Sequence, residues 1–300
     1  MTTFVLFAFD METDIGSYLK TYNGVRHGTG RILGLLERYR VPATFLFTGD
    51  AVQNNEEIVR QIADRGYEVG CHGLRHETVG ETHFLMPNDT PILEEEAEHR
   101  LGLNKSIVAK ASGAEPVTFR APRLWQGHAQ VLALEKLGFR VDVSYSVAAH
   151  TTHILPYHPS TESWLVPGEL KLLEIPNFAF QDNETDYSQY FCRNDQWPLL
   201  RLLGADFVFR GGKHVIRRQA ETSPITVLLF YLHPWEFETM PEKFDYDEGT
   251  FLFKPELTKN CGDVMVKEFE RYIRLCGEAG YQFATCRDFC DIWSGHENIT

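Results

Sequence analysis

Phe4-Val5-Leu6-Phe7-Ala8-Phe9-Asp10-Met11-Glu12-Thr13-Asp14 is a short apolar run that ends in three carboxylates at alternate positions. The run predicts a strand, and its end decides how the rest is read. If the strand continues past Phe9, Asp10 and Glu12 share a face, because side chains repeat every second residue.

Working outward, similar runs recur at Ala43–Phe47, Tyr67–Cys71, Val117–Phe119, Val141–Tyr145, Leu172–Ile175, Thr226–Leu232 and Gln282–Thr285. Between them lie helix patterns near 27–39, 54–65, 91–111, 127–137 and 264–279, the last ended by Gly277 and Gly280. Strand-then-helix order repeated this often predicts a parallel sheet with right-handed crossovers. Seven or eight units favour closure, so the expected fold is a distorted TIM-like (β/α)7–8 barrel, one α/β domain over 1–300. Two stretches break the rhythm, 177–225 and 236–262, and read as insertions or lids. The first carries Phe178, Phe180, Tyr187, Tyr190, Phe191 and Trp197, enough apolar surface for a cover over the barrel mouth.

Composition narrows the function classes. A net charge of −13, with 29 basic against 42 acidic residues and no basic run, argues against nucleic acid or an anionic membrane as main partner. No stretch approaches the ~18 apolar residues of a membrane span. The first apolar run is too short for a signal-peptide core and lacks a basic flank. Cys71, Cys192, Cys261, Cys276, Cys286 and Cys290 show no CxxC spacing, so free thiols and a cytoplasmic location are the expectation. Gly28-Thr29-Gly30 with Gly34 lacks dinucleotide-loop spacing; it reads as a helix start where glycine lets the backbone pass near the pocket.

Parallel barrels gather their chemistry at the carboxyl ends of the strands. Here the third strand runs into Cys71-His72-Gly73-Leu74-Arg75-His76, the fourth into Phe119-Arg120-Ala121-Pro122, the seventh into Leu232-His233-Pro234-Trp235. Two histidines four apart converge on one ion if the backbone turns helically. Each piece has an ordinary reading. A single histidine is more often a hydrogen-bonded structural residue, His-x-x-x-His occurs on plain helix faces, and a strand-end aspartate is often a helix cap. Four separate strand ends bearing ligand-type residues are hard to produce by core packing alone. Cys71 should alternate to the opposite face from His72, into the core.

Asp10-x-Glu12, His72-x-x-x-His76, Phe119-Arg120-Ala121-Pro122 and Leu232-His233-Pro234, in this order, resemble the motifs of the polysaccharide deacetylase (NodB-homology) family. Pro42-Ala43-Thr44-Phe45, Gly66–Gly70, Gly138-Phe139-Arg140 and Glu174-Ile175-Pro176 fit as well, so the resemblance covers residues 4–290. Three departures stand out. Asp-x-Glu replaces adjacent aspartates, as in the branch of cytosolic peptidoglycan deacetylase-like and allantoinase- or cyclic-imidase-like proteins. Gly73 stands where the family has Ser or Thr, and Arg123 follows Pro122, with the aromatic displaced to Trp125.

The resemblance implies one divalent metal, zinc by preference, with Fe, Co, Ni or Mn as alternatives, held by Glu12, His72 and His76. Asp14 is the alternative carboxylate ligand. It implies that Asp10 takes a proton from the attacking water, that Arg120 pairs with Asp10, and that His233 gives a proton to the departing amine. A backbone N–H near Pro122 would help hold the oxyanion, and Trp125, Trp235 and Phe178 would wall the substrate. The implied activity is N-deacetylation of an acetylated amino sugar in a glycan or saccharide. A non-sugar linear or cyclic amide is the first alternative; a non-catalytic carbohydrate-binding barrel is the second, opposed by the intact Asp10, His72, His76 and His233. The branch often forms homo-oligomers. A cover over the mouth would suit a short saccharide or small amide.

Overall fold

The computed structural model describes residues 1–79, 92–150, 152–180, 196–247 and 249–297. Every strand read from the sequence is there: β1 (Thr2–Met11), β2 (Thr44–Phe47), β3 (Glu68–Cys71), β4 (Thr118–Phe119), β5 (Val141–Asp142), β6 (Leu173–Glu174) and β7 (Ile225–Leu232). A hairpin of β8 (Lys243–Tyr246) and β9 (Gly249–Leu252) follows, then β10 (Gln282–Phe283). The helices are α1 (Thr29–Tyr39), α2 (Gly49–Asn54), α3 (Glu56–Asp64), α4 (Ala97–Ser112), α5 (His128–Lys136) and α6 (Val147–His150). They continue with α7 (Leu199–Leu203), α8 (Ala205–Gln219), α9 (Pro255–Thr258), α10 (Asp263–Glu278) and α11 (Cys286–Glu297).

The main sheet is parallel, and neighbours run β1-β2-β3-β4-β5-β6. β1 pairs with β7 from Thr2↔Ile225 to Phe9↔Leu232; its other edge carries β10 at Phe4 and Val5 and β2 from Ala8 to Met11. Single bridges from Asn177 to Ser146 and to Leu229 close the ring between β5 and β7. The result is the distorted (β/α) barrel, its wall thin where β4, β5 and β6 shorten to two residues.

Alternation along β1 builds two layers. Val5, Phe7, Phe9 and Met11 face outward into a large core shared with the helices. There Phe7 meets Phe230, Phe269 and Tyr272. Phe4, Leu6 and Ala8 face inward with Val141, Val143, Leu173, Ile175, Val227 and Leu229. Asp10 is the next inward rung, so the apolar interior ends in a carboxylate at the mouth. The opposite end is plugged by α11: Phe289 packs on Phe4 at 5.4 Å, and the Cys286 and Arg287 amides donate to Thr44 Oγ1 and Glu68 Oε2.

The stretch 177–225 differs from the expected insertion. Its described part after 196 is largely helical, and α8 lies against β7 and α10 as an ordinary barrel helix. Arg210-Gly211-Gly212 reads as a helix breaker, yet these glycines let α8 approach closely. A Cβ on Gly211 would stand 2.2 Å from the Phe180 ring, and one on Gly212 3.0 Å from Leu228. Tyr187, Tyr190, Phe191 and Cys192 lie outside the described residues. In 236–262 Met240 and Phe253, on either side of the hairpin, and Leu257 of α9 join a third apolar cluster with Ile15, Leu19 and Trp235.

Candidate active site

β1 delivers Asp10 and the following residue pair delivers Glu12, both buried at the barrel mouth. β3 ends one residue before His72, whose side chain points inward while Cys71 enters the outer core, fully buried. The segment to His76 is not helical. It is a series of bends in which Gly73 (φ 80°) and His76 (φ 60°) take left-handed conformations, and Glu77 caps the Leu74 and Arg75 amides. Gly73 also sits against Pro122, where a Cβ would come within 3.1 Å, which accounts for glycine at the family's Ser or Thr position.

Glu12, His72 and His76 bring ligand atoms within 4.8 Å of one another. Glu12 Oε2 is 2.5 Å from His76 Nε2 and 3.6 Å from His72 Nε2. Apart from these imidazoles neither carboxylate oxygen has a hydrogen-bond donor, although both are buried. The His72 Nδ1 donates to the Arg120 carbonyl at 2.9 Å, so its Nε2 lone pair faces Glu12. Lone pairs converging on a buried carboxylate repel unless a cation stands among them, and two nitrogens with one oxygen suit a divalent metal. Where the imidazoles carry protons in place of a metal, burial still opposes ionisation of Glu12, but the charge of His76 and hydrogen bonds from His72 and His76 hold its carboxyl well below the usual range.

Asp14 does not join this group. Its Oδ1 accepts from the Gly24 amide at 2.8 Å, and its Oδ2 accepts from Thr21 Oγ1 at 2.7 Å and the Asn23 amide at 2.8 Å. Those bonds order the loop after β1, so Glu12 is the carboxylate facing the imidazoles.

Arg120 is fully buried and donates to Asp10 Oδ1 at 2.7 Å. Its remaining bonds go to the Val143 and Ala8 carbonyls and to Asn177 Oδ1. Asn177, which the sequence does not mark as a site residue, thus closes the barrel and steadies Arg120. Asp10 Oδ2 faces His72 Nε2 at 3.9 Å and His233 Nε2 at 4.0 Å.

His233 follows β7, and its loop is pressed against the chain before α1. A Cβ on Gly24 would meet the Trp235 amide at 2.3 Å, and one on Gly28 the Pro234 carbonyl at 2.0 Å. Of the three glycines read there, Gly28 serves close approach, while Gly30 and Gly34 have open space where a Cβ would go. His233 Nδ1 lies 3.1 Å from Glu236 Oε1, and Arg201 Nε donates to Glu236 Oε2 at 2.8 Å. Burial works against a charged His233, but the Glu236 hydrogen bond and charge, with Glu12 and Asp10, raise its pKa. Burial likewise opposes ionisation of Glu236, yet His233 and Arg201 keep its pKa low. Glu236 and Arg201 were not evident in the sequence; the Glu three residues after His233 was the one available signal.

The expected substrate walls separate. Phe178 packs on Phe180 and Phe230 between sheet and helices, away from the mouth, so it is a core residue. Trp235 is 1% exposed and stacks behind His233 at 5.1 Å, supporting the imidazole. Trp125 and Pro122 are buried beside the fourth strand end. Of the N–H groups near Pro122, those of Ala121, Leu124 and Trp125 already donate within the protein. Half-buried Trp197 flanks His233 edge-on at 5.4 Å.

Residues 9–141 match the family model described as polysaccharide deacetylase. Over those residues the chain is similar to polysaccharide deacetylases. The chain is 26% identical over 171 residues to a peptidoglycan deacetylase of Helicobacter pylori, covering 52% of this chain and 54% of that protein. The chain spans about half the length of the curated relatives it matches. Its fold is shared with a putative polysaccharide deacetylase from Mycobacterium smegmatis (TM-score 0.63, 17% identity, 99% of this chain and 91% of that one). It is also shared with Puue allantoinase (TM-score 0.62, 16% identity, 98% and 90%). Among the described residues no helix is long and apolar enough to cross a membrane.

Proposed function

We propose that this chain hydrolyses amide C–N bonds, removing the acetyl group from an acetylated amino sugar, with one divalent metal held by Glu12, His72 and His76. One observation carries the reading: an orphaned buried carboxylate and two imidazoles face an Arg-held aspartate and a carboxylate-held histidine across one small space. The metal, zinc by preference, would polarise the acetyl carbonyl and acidify water. Asp10, its Oδ1 fixed by Arg120, accepts the water proton at Oδ2. His233 gives its Nε2 proton to the amine nitrogen as the C–N bond breaks. Among the described residues, Trp197, beside His233, and Trp125, beside Pro122, offer ring-sized apolar surfaces to a sugar.

The names of the Helicobacter pylori relative and of a Bacillus cereus peptidoglycan-N-acetylglucosamine deacetylase, 26% identical over 140 residues, support an acetylated amino sugar. A short saccharide is the preferred length, because the 236–262 segment builds up the mouth on the His233 side. The five described cysteines are free, which fits a reducing compartment such as the cytoplasm. Metal-loaded protein should release acetate from N-acetylglucosamine oligomers while leaving formamides and cyclic ureides unhydrolysed. Full metal occupancy without acetate release from any acetylated sugar would refute the proposal, and turnover of ureides alone would move the substrate to cyclic amides.

A further inference from the structure

Arg201 in α7 is 1% exposed, and its guanidinium donates in four directions. Nε reaches Glu236 Oε2 at 2.8 Å; Nη1 reaches the Lys259 carbonyl at 2.6 Å; Nη2 reaches the Glu256 and Leu257 carbonyls at 2.7 and 3.0 Å. Glu236 is also 1% exposed, and its other oxygen receives the His233 amide at 3.0 Å and lies 3.1 Å from His233 Nδ1. Trp197 and Trp235 enclose the group, with the Arg201 guanidinium 5.9 and 5.8 Å from their rings. A buried ion pair is costly to desolvate, and an apolar pair of the same volume is often no less stable. If Arg201 served only to tie α7 to residues 256–259, its three carbonyl bonds would suffice. The carboxylate instead spends its second oxygen on the imidazole.

We propose that Glu236 and Arg201 are positioning residues for His233, fixing its ring and keeping a proton on Nδ1 so that the exchangeable proton sits on Nε2, facing the mouth. The proposal rests on the reading of His233 as proton donor. In the step it governs, the C–N bonding pair passes to the nitrogen, which takes the Nε2 proton. The imidazole is left neutral, still donating from Nδ1 to Glu236. Arg201 holds the far oxygen and prevents the carboxylate from turning away. The segment 256–259 is thereby wired to the proton donor through one side chain.

An amine leaves only with a proton, whereas an aryl oxide leaves without one, and that difference tests the role. Glu236→Gln in the metal-loaded protein should lose about 10²-fold or more in kcat on an N-acetylglucosamine oligomer, the usual scale for a proton donor, with KM and metal content unchanged. On 4-nitrophenyl acetate the same variant should stay close to the parent protein. Arg201→Lys should show a smaller loss with the same substrate split. Equal losses on both substrates, or none on the amide, would overturn the proposal. Ring ¹⁵N spectra of His233 give a substrate-free readout: Nδ1-protonated in the parent, a tautomer mixture in Glu236→Gln. Unchanged spectra would also overturn it. If the parent protein turns over neither substrate, the functional reading fails, and the spectra still decide the positioning role.

Discussion

Glu12 and Asp14 are two residues apart, and on sequence alone either could face the imidazoles. What separates them is where their oxygens are spent. Asp14 accepts three hydrogen bonds from its own loop, while Glu12 has none beyond the histidines. Glu12→Gln should therefore abolish stoichiometric metal, because an amide brings no charge to a dication; elemental analysis of the purified variant checks it. Asp14→Asn should keep the metal and cost about 1–3 kcal/mol of stability from hydrogen bonds to a charged acceptor, measured by urea unfolding. Asp14→Asn losing the metal while Glu12→Gln retains it would reverse the assignment. Asp10 makes a third case. Asp10→Asn should retain metal and fold yet drop kcat by about 10²–10⁴, since an amide cannot take the water proton. The strand-end acids and histidines were legible because each sits in a short motif. Arg201 and Asn177 were not, because Glu236 and Arg120, which give them their roles, lie 35 and 57 positions away and meet them only after the barrel closes; Glu236 lies three residues after His233, but no motif marks it.

At the scale of elements, all the barrel strands could be read from apolar runs, and the helices that were missed explain the limit of that reading. α8 hides behind Gly211-Gly212, which local propensity scores as a break. In the fold these residues are where helix and sheet come closest. The same substitution should then have opposite signs on two helices. Gly34 lies mid-way along α1 with open space where a Cβ would go, so Gly34→Ala should stabilise by about 0.5–1 kcal/mol. Gly211→Ala places its Cβ into the Phe180 ring, and the overpacking, about 1–3 kcal/mol, outweighs the gain in helix propensity. Urea midpoints of the two variants should move in opposite directions; two upward shifts would show that α8 does not depend on that close approach. The His72–His76 segment carries a related lesson. Spacing alone suggested a helical turn, but convergence is achieved by two left-handed residues, which a four-residue interval does not reveal.

The molecule as a whole carries a net charge of −13, and it also holds two acids inside the barrel wall that the catalytic reading does not use. Asp142 on β5 is paired in register with Glu174 on β6, and both are fully buried. Gln126 Nε2 bridges them, donating to Asp142 Oδ2 at 2.6 Å and Glu174 Oε2 at 3.0 Å. The Ser144 hydroxyl bonds the other Asp142 oxygen, and the Ser144 and Tyr145 amides bond Glu174 Oε1. Neither acid was conspicuous in the sequence, since each is a single acid in an otherwise apolar strand and only sheet closure sets them opposite one another. Burial pushes Asp142 up to about 7, and burial with the Asp142 charge raises Glu174 well above the ordinary carboxylate range. The sign follows directly. The folded state holds a proton that an unfolded chain, with carboxylates near pKa ~4, has already released, so the pair's contribution is full below that range. It is lost as pH rises through about 7. Asp142→Asn keeps the shape of the protonated acid and removes its ionisation. Relative to the parent, the variant should gain about 1–3 kcal/mol between about pH 5 and about pH 8, read as the difference in urea unfolding free energies. Comparing the two proteins at each pH cancels the titration of every other group. A difference that stays constant across that interval would mean that the pair remains ionised in the fold, and that its hydrogen bonds outweigh its burial.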